Sequence, residues 1–228
     1  VHSEFDFFIT GANNIPGRGG WEYIFEILFF CVRQLFVISP INTTKNCYMK
    51  MSTRIQLFIM MFLQFVVWGA WYGQLSKYLT AIGFNGVQVG VVYSTFSIAM
   101  IVSPFVVGML ADRFFSAQKV LGFLNILGAG LLFLLTRTTD YSSFMPLMLV
   151  YCLTFAPCIA LTSSIALRQM TSPEKEFPLV RVMGTFAWIA VTVAIGKLGW
   201  GNKVNIFYFS IVSSLVMGLF SFTLPDTP

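Results

Sequence analysis

Three side chains at helical spacing carry the sharpest chemistry in the chain. Arg181, Thr185 and Trp188 lie four and three residues apart, the spacing that lines one face of a helix. A guanidinium, a hydroxyl and an indole on one stripe offer donors, an acceptor and a stacking surface, a set suited to a planar polar solute. Phe177-Pro178 precede them, and proline can open a helix, which predicts a helix from about Leu179 with Arg181 about one turn inside. An arginine against lipid costs about 3 kcal/mol at the bilayer centre. Arg181 should therefore either line a cavity or snorkel to the surface. A second pair, Gln64 and Trp68, could hold a flat hydrogen-bonding solute, or could simply glue one helix to its neighbour. A third feature is the short polar break Gly108-Met109-Leu110-Ala111-Asp112-Arg113-Phe114-Phe115-Ser116-Ala117-Gln118-Lys119 between two long apolar runs. Two membrane helices joined by so tight a charged turn form a hairpin. The turn can fix topology, or its acid can accept bonds from a neighbouring helix N-terminus. Ala156-Pro157 followed by Thr162-Ser163-Ser164 places a proline mid-helix with hydroxyls that can bond either nearby carbonyls or a solute.

Other chemistries find no residues to work with. His2 is the single histidine, and Cys152 and Cys158 are six apart within one apolar run, on different sides of a helix, while Cys31 and Cys47 lie in the unusual leader. No metal site or disulfide framework follows. No nucleophile–base pairing or glycine-rich phosphate loop stands out, so neither an enzyme nor a cofactor is expected. The acids after residue 54 are Asp112, Asp140, Glu174, Glu176 and Asp226, all at the ends of apolar runs. A proton pathway needs a titratable group within the membrane, and none of these supplies it.

The elements that must position these side chains are membrane helices. The chain is 57% hydrophobic and 10% charged, against about 25% charged in soluble domains. The net charge of +5 comes from basic residues scattered at run ends, as topology requires, so nucleic acid is not an expected partner. Apolar runs predict six helices, at about Ile55–Tyr78, Gly86–Leu110, Lys119–Thr136, Phe144–Leu167, Leu179–Leu198 and Asn205–Leu224. Residues 1–48 stand apart, with Glu26 and Arg33 interrupting their one apolar stretch. They read as upstream-translated or disordered leader, or as an extra amphipathic surface helix, with Met49 or Met51 as the natural start of a second unit, 49–228. With the N-terminus inside, Lys50, Arg54, Arg113, Lys119, Arg168 and Lys175 face the cytoplasm and Lys77, Arg137, Lys197 and Lys203 the outside. That bias predicts cytoplasmic termini.

Three strings, in order, carry a family resemblance. Leu63-Gln64-Phe65 with Trp68-Gly69-Ala70-Trp71 resembles the first helix of the nucleoside–proton symporters, a branch of the major facilitator superfamily. Ala111-Asp112-Arg113 with Ser116-Ala117-Gln118-Lys119-Val120 is similar to their loop between helices 2 and 3. Within it Gly108, Asp112 and Arg113 match the superfamily pattern, while Phe115 replaces its second glycine and Lys119 is all that remains of its basic pair. Phe177-Pro178-Leu179-Val180-Arg181-Val182-Met183-Gly184-Thr185-Phe186-Ala187-Trp188 resembles their fifth helix. Ala187 stands where relatives often have glycine, and Ser163 where they usually have asparagine.

The resemblance implies an all-α integral membrane fold, the N-terminal six-helix bundle of that superfamily built as three-plus-three inverted repeats, with a C-terminal half as its partner. It implies a nucleoside transporter working by alternating access in a bacterial cytoplasmic membrane, with a proton as coupling ion. Arg181, Thr185 and Trp188, joined by Gln64 and Trp68 from the first helix, would line the substrate cavity. Gly108, Asp112, Arg113 and Lys119 would form the conformational loop. Two other readings stay open: a facilitator-type carrier of sugars or other polar solutes, and a six-helix membrane assembly or regulatory protein that does not transport.

Overall fold

The computed structural model describes residues 51–111 and 116–225, with the backbone alone for 104–111. All of them belong to one compact unit, 47–228. The leader, and Asp112 and Arg113 of the polar turn, lie outside the described residues. Among the described residues seven helices follow one another: α1 Met51–Tyr72, α2 Leu75–Ala81, α3 Gly86–Ala111, α4 Ala117–Leu135, α5 Tyr141–Gln169, α6 Pro173–Lys197 and α7 Asn205–Ser221. Five spans, the first made of α1 and α2 together, are long and apolar enough to cross a membrane. The sixth, α7, is apolar but has only 17 residues. Beyond it Phe222, Thr223 and Leu224 donate to carbonyls three residues back, so tightened turns carry the run on to the predicted Leu224.

Local chemistry sets the helix ends. After α2, Gly83 takes φ 95°. Phe84 N–H donates to the Leu79 carbonyl at 3.0 Å and Gly83 N–H to that of Thr80 at 3.1 Å, a Schellman closure that needs a residue without Cβ at the left-handed position. Two residues on, Asn85 and Gln88 exchange side-chain and backbone bonds at 2.9 and 3.0 Å, a capping box that starts α3.

Helix α6 corrects the boundary expected from sequence. It begins at Pro173 rather than Leu179, with Ser172 at the N-cap position and the Glu176 carboxylate accepting the Ser172 N–H at 3.3 Å. Pro173 at the first helical position and two acids in the first turn suit the orphan donors and positive dipole there. Pro178 therefore sits inside the helix. Arg181 is its ninth residue, about 12 Å along the axis at 1.5 Å per residue.

The first span breaks at Gly73-Gln74, which the sequence did not announce. The backbone groups freed there are taken up by α3. Ser76 N–H donates to the Tyr93 hydroxyl at 3.1 Å, and that hydroxyl donates to the Tyr72 carbonyl at 3.0 Å. One phenol thus spans the break, meeting the demand that backbone groups at membrane depth be satisfied by protein.

The main helix pairs are α1 with α6, α3 with α5, α4 with α7, α4 with α5, and α1 with α7. Exchanging α1, α3 and α4 for α5, α6 and α7 maps this set of pairs onto itself. The bundle is therefore two three-helix repeats related by a pseudo-twofold, inverted because three spans reverse direction. The α4–α7 pair on that axis meets at two glycines, Gly122 and Gly218, with the Ile126 and Phe222 side chains packed over them. A Cβ on Gly218 would lie 3.1 Å from the Gly122 carbonyl oxygen, and one on Gly122 would lie 3.0 Å from that of Gly218. Gly218→Val should destabilise the bundle by about 1–3 kcal/mol, as overpacking does. Thermal unfolding in detergent should show a clearly lowered midpoint; an unchanged midpoint would contradict this close approach.

Candidate functional site

One face of α6 is fully packed through Glu176, Val180, Gly184, Ala187, Val191 and Ile195. Arg181, Thr185 and Trp188 flank that face, and all three are half-buried. The sequence placed them on one stripe, and the helix keeps them there, at the rim of the core. Opposite stands α1, held unusually near. A Cβ on Gly184 would fall 2.7 Å from Phe65, and one on Gly69 would fall 2.7 Å from Val191 and 3.0 Å from the Trp188 carbonyl. Polar ties lock the same seam: Thr192 donates from Oγ1 to the Gly69 carbonyl at 3.2 Å, and Gln74 from Nε2 to the Thr192 carbonyl at 3.4 Å.

This closeness builds an aromatic wall. Trp68 lies 6.5 Å from Trp188, 5.6 Å from Phe65, 5.7 Å from Tyr72 and 5.6 Å from Phe96 of α3, centroid to centroid. The buried indole N–H groups of Trp68 and Trp188 have no acceptor. The Arg181 guanidinium carbon sits 4.8 Å from the Phe65 ring centroid, and no carboxylate or other hydrogen-bond acceptor among the described residues engages it. A cation with free donors beside a hydroxyl and two indoles can bind a flat, oxygen-rich, uncharged solute.

Gln64 and Trp68, which the sequence offers either as a solute-holding pair or as helix glue, take different neighbours in the structure. Four residues turn a helix by about 400°, so the two side chains diverge by about 40°, enough to cross the edge of the core. Gln64 is fully buried. Its Oε1 accepts from Asn125 Nδ2 at 3.3 Å, and Ser214 Oγ donates to the Asn125 carbonyl at 2.8 Å. Gln64 thus joins α1 to α4 and α7, while Trp68 turns towards α6.

Two of the hydroxyls that follow Pro157 in α5 bond within their own helix. Thr162 and Ser163 both donate to the Ile159 carbonyl, at 2.9 and 3.1 Å, as such residues commonly do. Gly108 lies three residues before the end of α3, and Lys119 is exposed in the first turn of α4. Among the described residues no three His, Cys, Asp or Glu side chains gather as metal ligands. A groove of about 590 Å³ at the α2 end of the bundle is lined by Gln74, Lys77, Thr80 and Asn202, among others, and by none of the stripe residues. Phe65 and Phe96 escaped the sequence reading. The signal for Phe65 was its place in Phe65, Gly69, Gly73, a row at four-residue spacing on the face that meets α6.

A family model described as Nucleoside H+ symporter matches residues 51–228. The chain belongs to the nucleoside H+ symporter family. Its relatives include YegT of Escherichia coli (strain K12), 43% identical over 185 residues, with 78% of this chain and 44% of that protein covered. The xanthosine permease of the same organism is 32% identical over 183 residues, again with 78% and 44% covered. Among solved structures, the crystal structure of nucleoside transporter NupG matches at TM-score 0.73 and 29% identity, over 78% of this chain and 45% of that one. The chain therefore spans less than half the length of the curated relatives it matches. The family chain folds as a multi-pass, all-helical membrane bundle of the major facilitator type, with the two repeats described above.

Gln64→Leu should cost about 0.6–1.7 kcal/mol, the range for interhelical hydrogen bonds in membranes. In the complete gene product it should lower the unfolding midpoint and leave solute affinity unchanged. A tenfold weaker affinity at an unchanged midpoint would instead put Gln64 at the solute.

Proposed function

We propose that the complete protein carries nucleosides across a bacterial cytoplasmic membrane by alternating access, coupled to protons, and that this chain forms one wall of its solute site. The observation that carries the reading is Arg181, a half-buried cation whose donors no described residue claims, on one stripe with Thr185 and with Trp188, whose ring lies 6.5 Å from that of Trp68. A guanidinium fork suits ribose hydroxyls and base carbonyls, and the indoles suit the face of a base. Relatives named xanthosine permease and nucleoside permease NupG support this solute class. In this reading Gln64 acts behind the wall, fixing α1. Gly108, Asp112, Arg113 and Lys119 form the loop that holds one conformation, on the cytoplasmic side together with both termini.

The family's description as Nucleoside H+ symporter supports coupling to protons. The carboxylates among the described residues, Asp140, Glu174 and Glu176, all sit at helix ends. We place the proton-bearing group, and the opposite wall of the site, in the part of the family's length that this chain does not span.

Arg181→Ala in the complete gene product should abolish uptake of labelled uridine at normal membrane levels, and unchanged uptake would remove Arg181 from the site. Wild-type uptake should be competed by adenosine but not by glucose, and a protonophore should stop accumulation. Competition by glucose would turn the reading to a sugar carrier.

A further inference from the structure

Arg181 lies about 12 Å inside its helix by the 1.5 Å rise, at a depth where a bare cation is costly. A carboxylate would be the ordinary remedy, but it would cancel the charge and consume donors in a bidentate pair. The structure offers something else. The guanidinium rests 4.8 Å from the centre of the Phe65 ring, whose π-face attracts a cation, the more so when it is desolvated. A benzene ring has no lone pairs, so it steadies the charge without occupying the fork.

That ring is held from two sides. Gly184, one turn along α6 from Arg181, presses on it so closely that a Cβ there would meet Phe65 Cδ2 at 2.7 Å. On α1 itself Trp68 packs edge-to-face at 5.6 Å and 67°. Phe65 is only 5% exposed. It is therefore a fixed plate, seated in a notch that only glycine leaves open, joining Arg181 to the pair Trp68–Trp188.

We propose that Phe65 is the positioning residue of the nucleoside site: its π-face holds the Arg181 guanidinium charged, oriented and with its donors free for the solute. The inference rests on the reading that Arg181 contacts the nucleoside. It explains why an aromatic residue and a glycine face each other at the depth of the arginine.

The test replaces Phe65 in the complete gene product with 4-fluoro-, 3,5-difluoro- and 3,4,5-trifluorophenylalanine, which drain the π-face while nearly preserving shape. Uridine Kd should rise stepwise, by about three- to tenfold at the trifluoro ring, the equivalent of a typical cation–π contact. Unfolding midpoints should stay constant, and in an Arg181→Ala background the series should be flat. Phe65→Leu should weaken binding at least as much as the trifluoro ring, and the near-isosteric series decides the matter if that variant misfolds. A flat series in the wild type, where Arg181→Ala still weakens binding, would overturn the role of Phe65 and leave Arg181 in the site. An Arg181→Ala protein that binds uridine normally would overturn both.

Discussion

The nearness of α1 to α6 governs the rest of the bundle. It exists because Gly69, Gly73 and Gly184 have no Cβ where one would collide with Val191, Thr192 and Phe65. Lipid tails give helices no hydrophobic reason to associate, so such contacts must come from fit and from hydrogen bonds between helices. Here both occur in one seam, since Thr192 bonds the Gly69 carbonyl exposed by that fit. The consequence reaches the site directly. Trp68 and Trp188 meet, and Arg181 reaches Phe65, because the two backbones run so close.

The two repeats share a scaffold but not a task. Their helix pairs exchange under the pseudo-twofold, yet the aromatic wall draws on α1, α3 and α6, and the buried amide network on α1, α4 and α7. Helix α1 belongs to both. One of its edges carries Gln64 into the core and the next carries Phe65 and Trp68 towards α6. A residue four positions away along the chain can thus pack into the polar core while its neighbour joins the aromatic wall.

Much of this was legible in the sequence. Apolar runs located all six spans, and most of their ends fell within a few residues, because hydrocarbon thickness imposes length and burial together. The stripe Arg181, Thr185, Trp188 survived as a stripe because helical geometry alone fixes it. Pro178 misled the reading of α6: as the sixth helical residue it forfeits one bond, to the Glu174 carbonyl, without ending the helix, and Pro173 with the two acids of the first turn starts the helix upstream. The direction of Gln64 was not legible, because a 40° divergence at the core edge depends on where the partner helices stand. Nor was the role of Phe65, whose partner Gly184 lies far along the chain and signals itself only by lacking a side chain.

The break in the first span has a mechanical meaning. Seven residues make too short a helix to stand on its own hydrogen bonds, so α2 takes its seat from its neighbours. Tyr93 ties its start to α3, and Gln74, at its cap, reaches the Thr192 carbonyl of α6. No continuous ladder of bonds binds the tip rigidly to α1 below it. Any parting of α3 from α6 at this level has to break one of those two ties, each worth about 1 kcal/mol. The tip is jointed to α1 yet seated in the core through Leu75, Tyr78 and Leu79, with the Tyr78 ring 5.1 Å from Phe207 of α7.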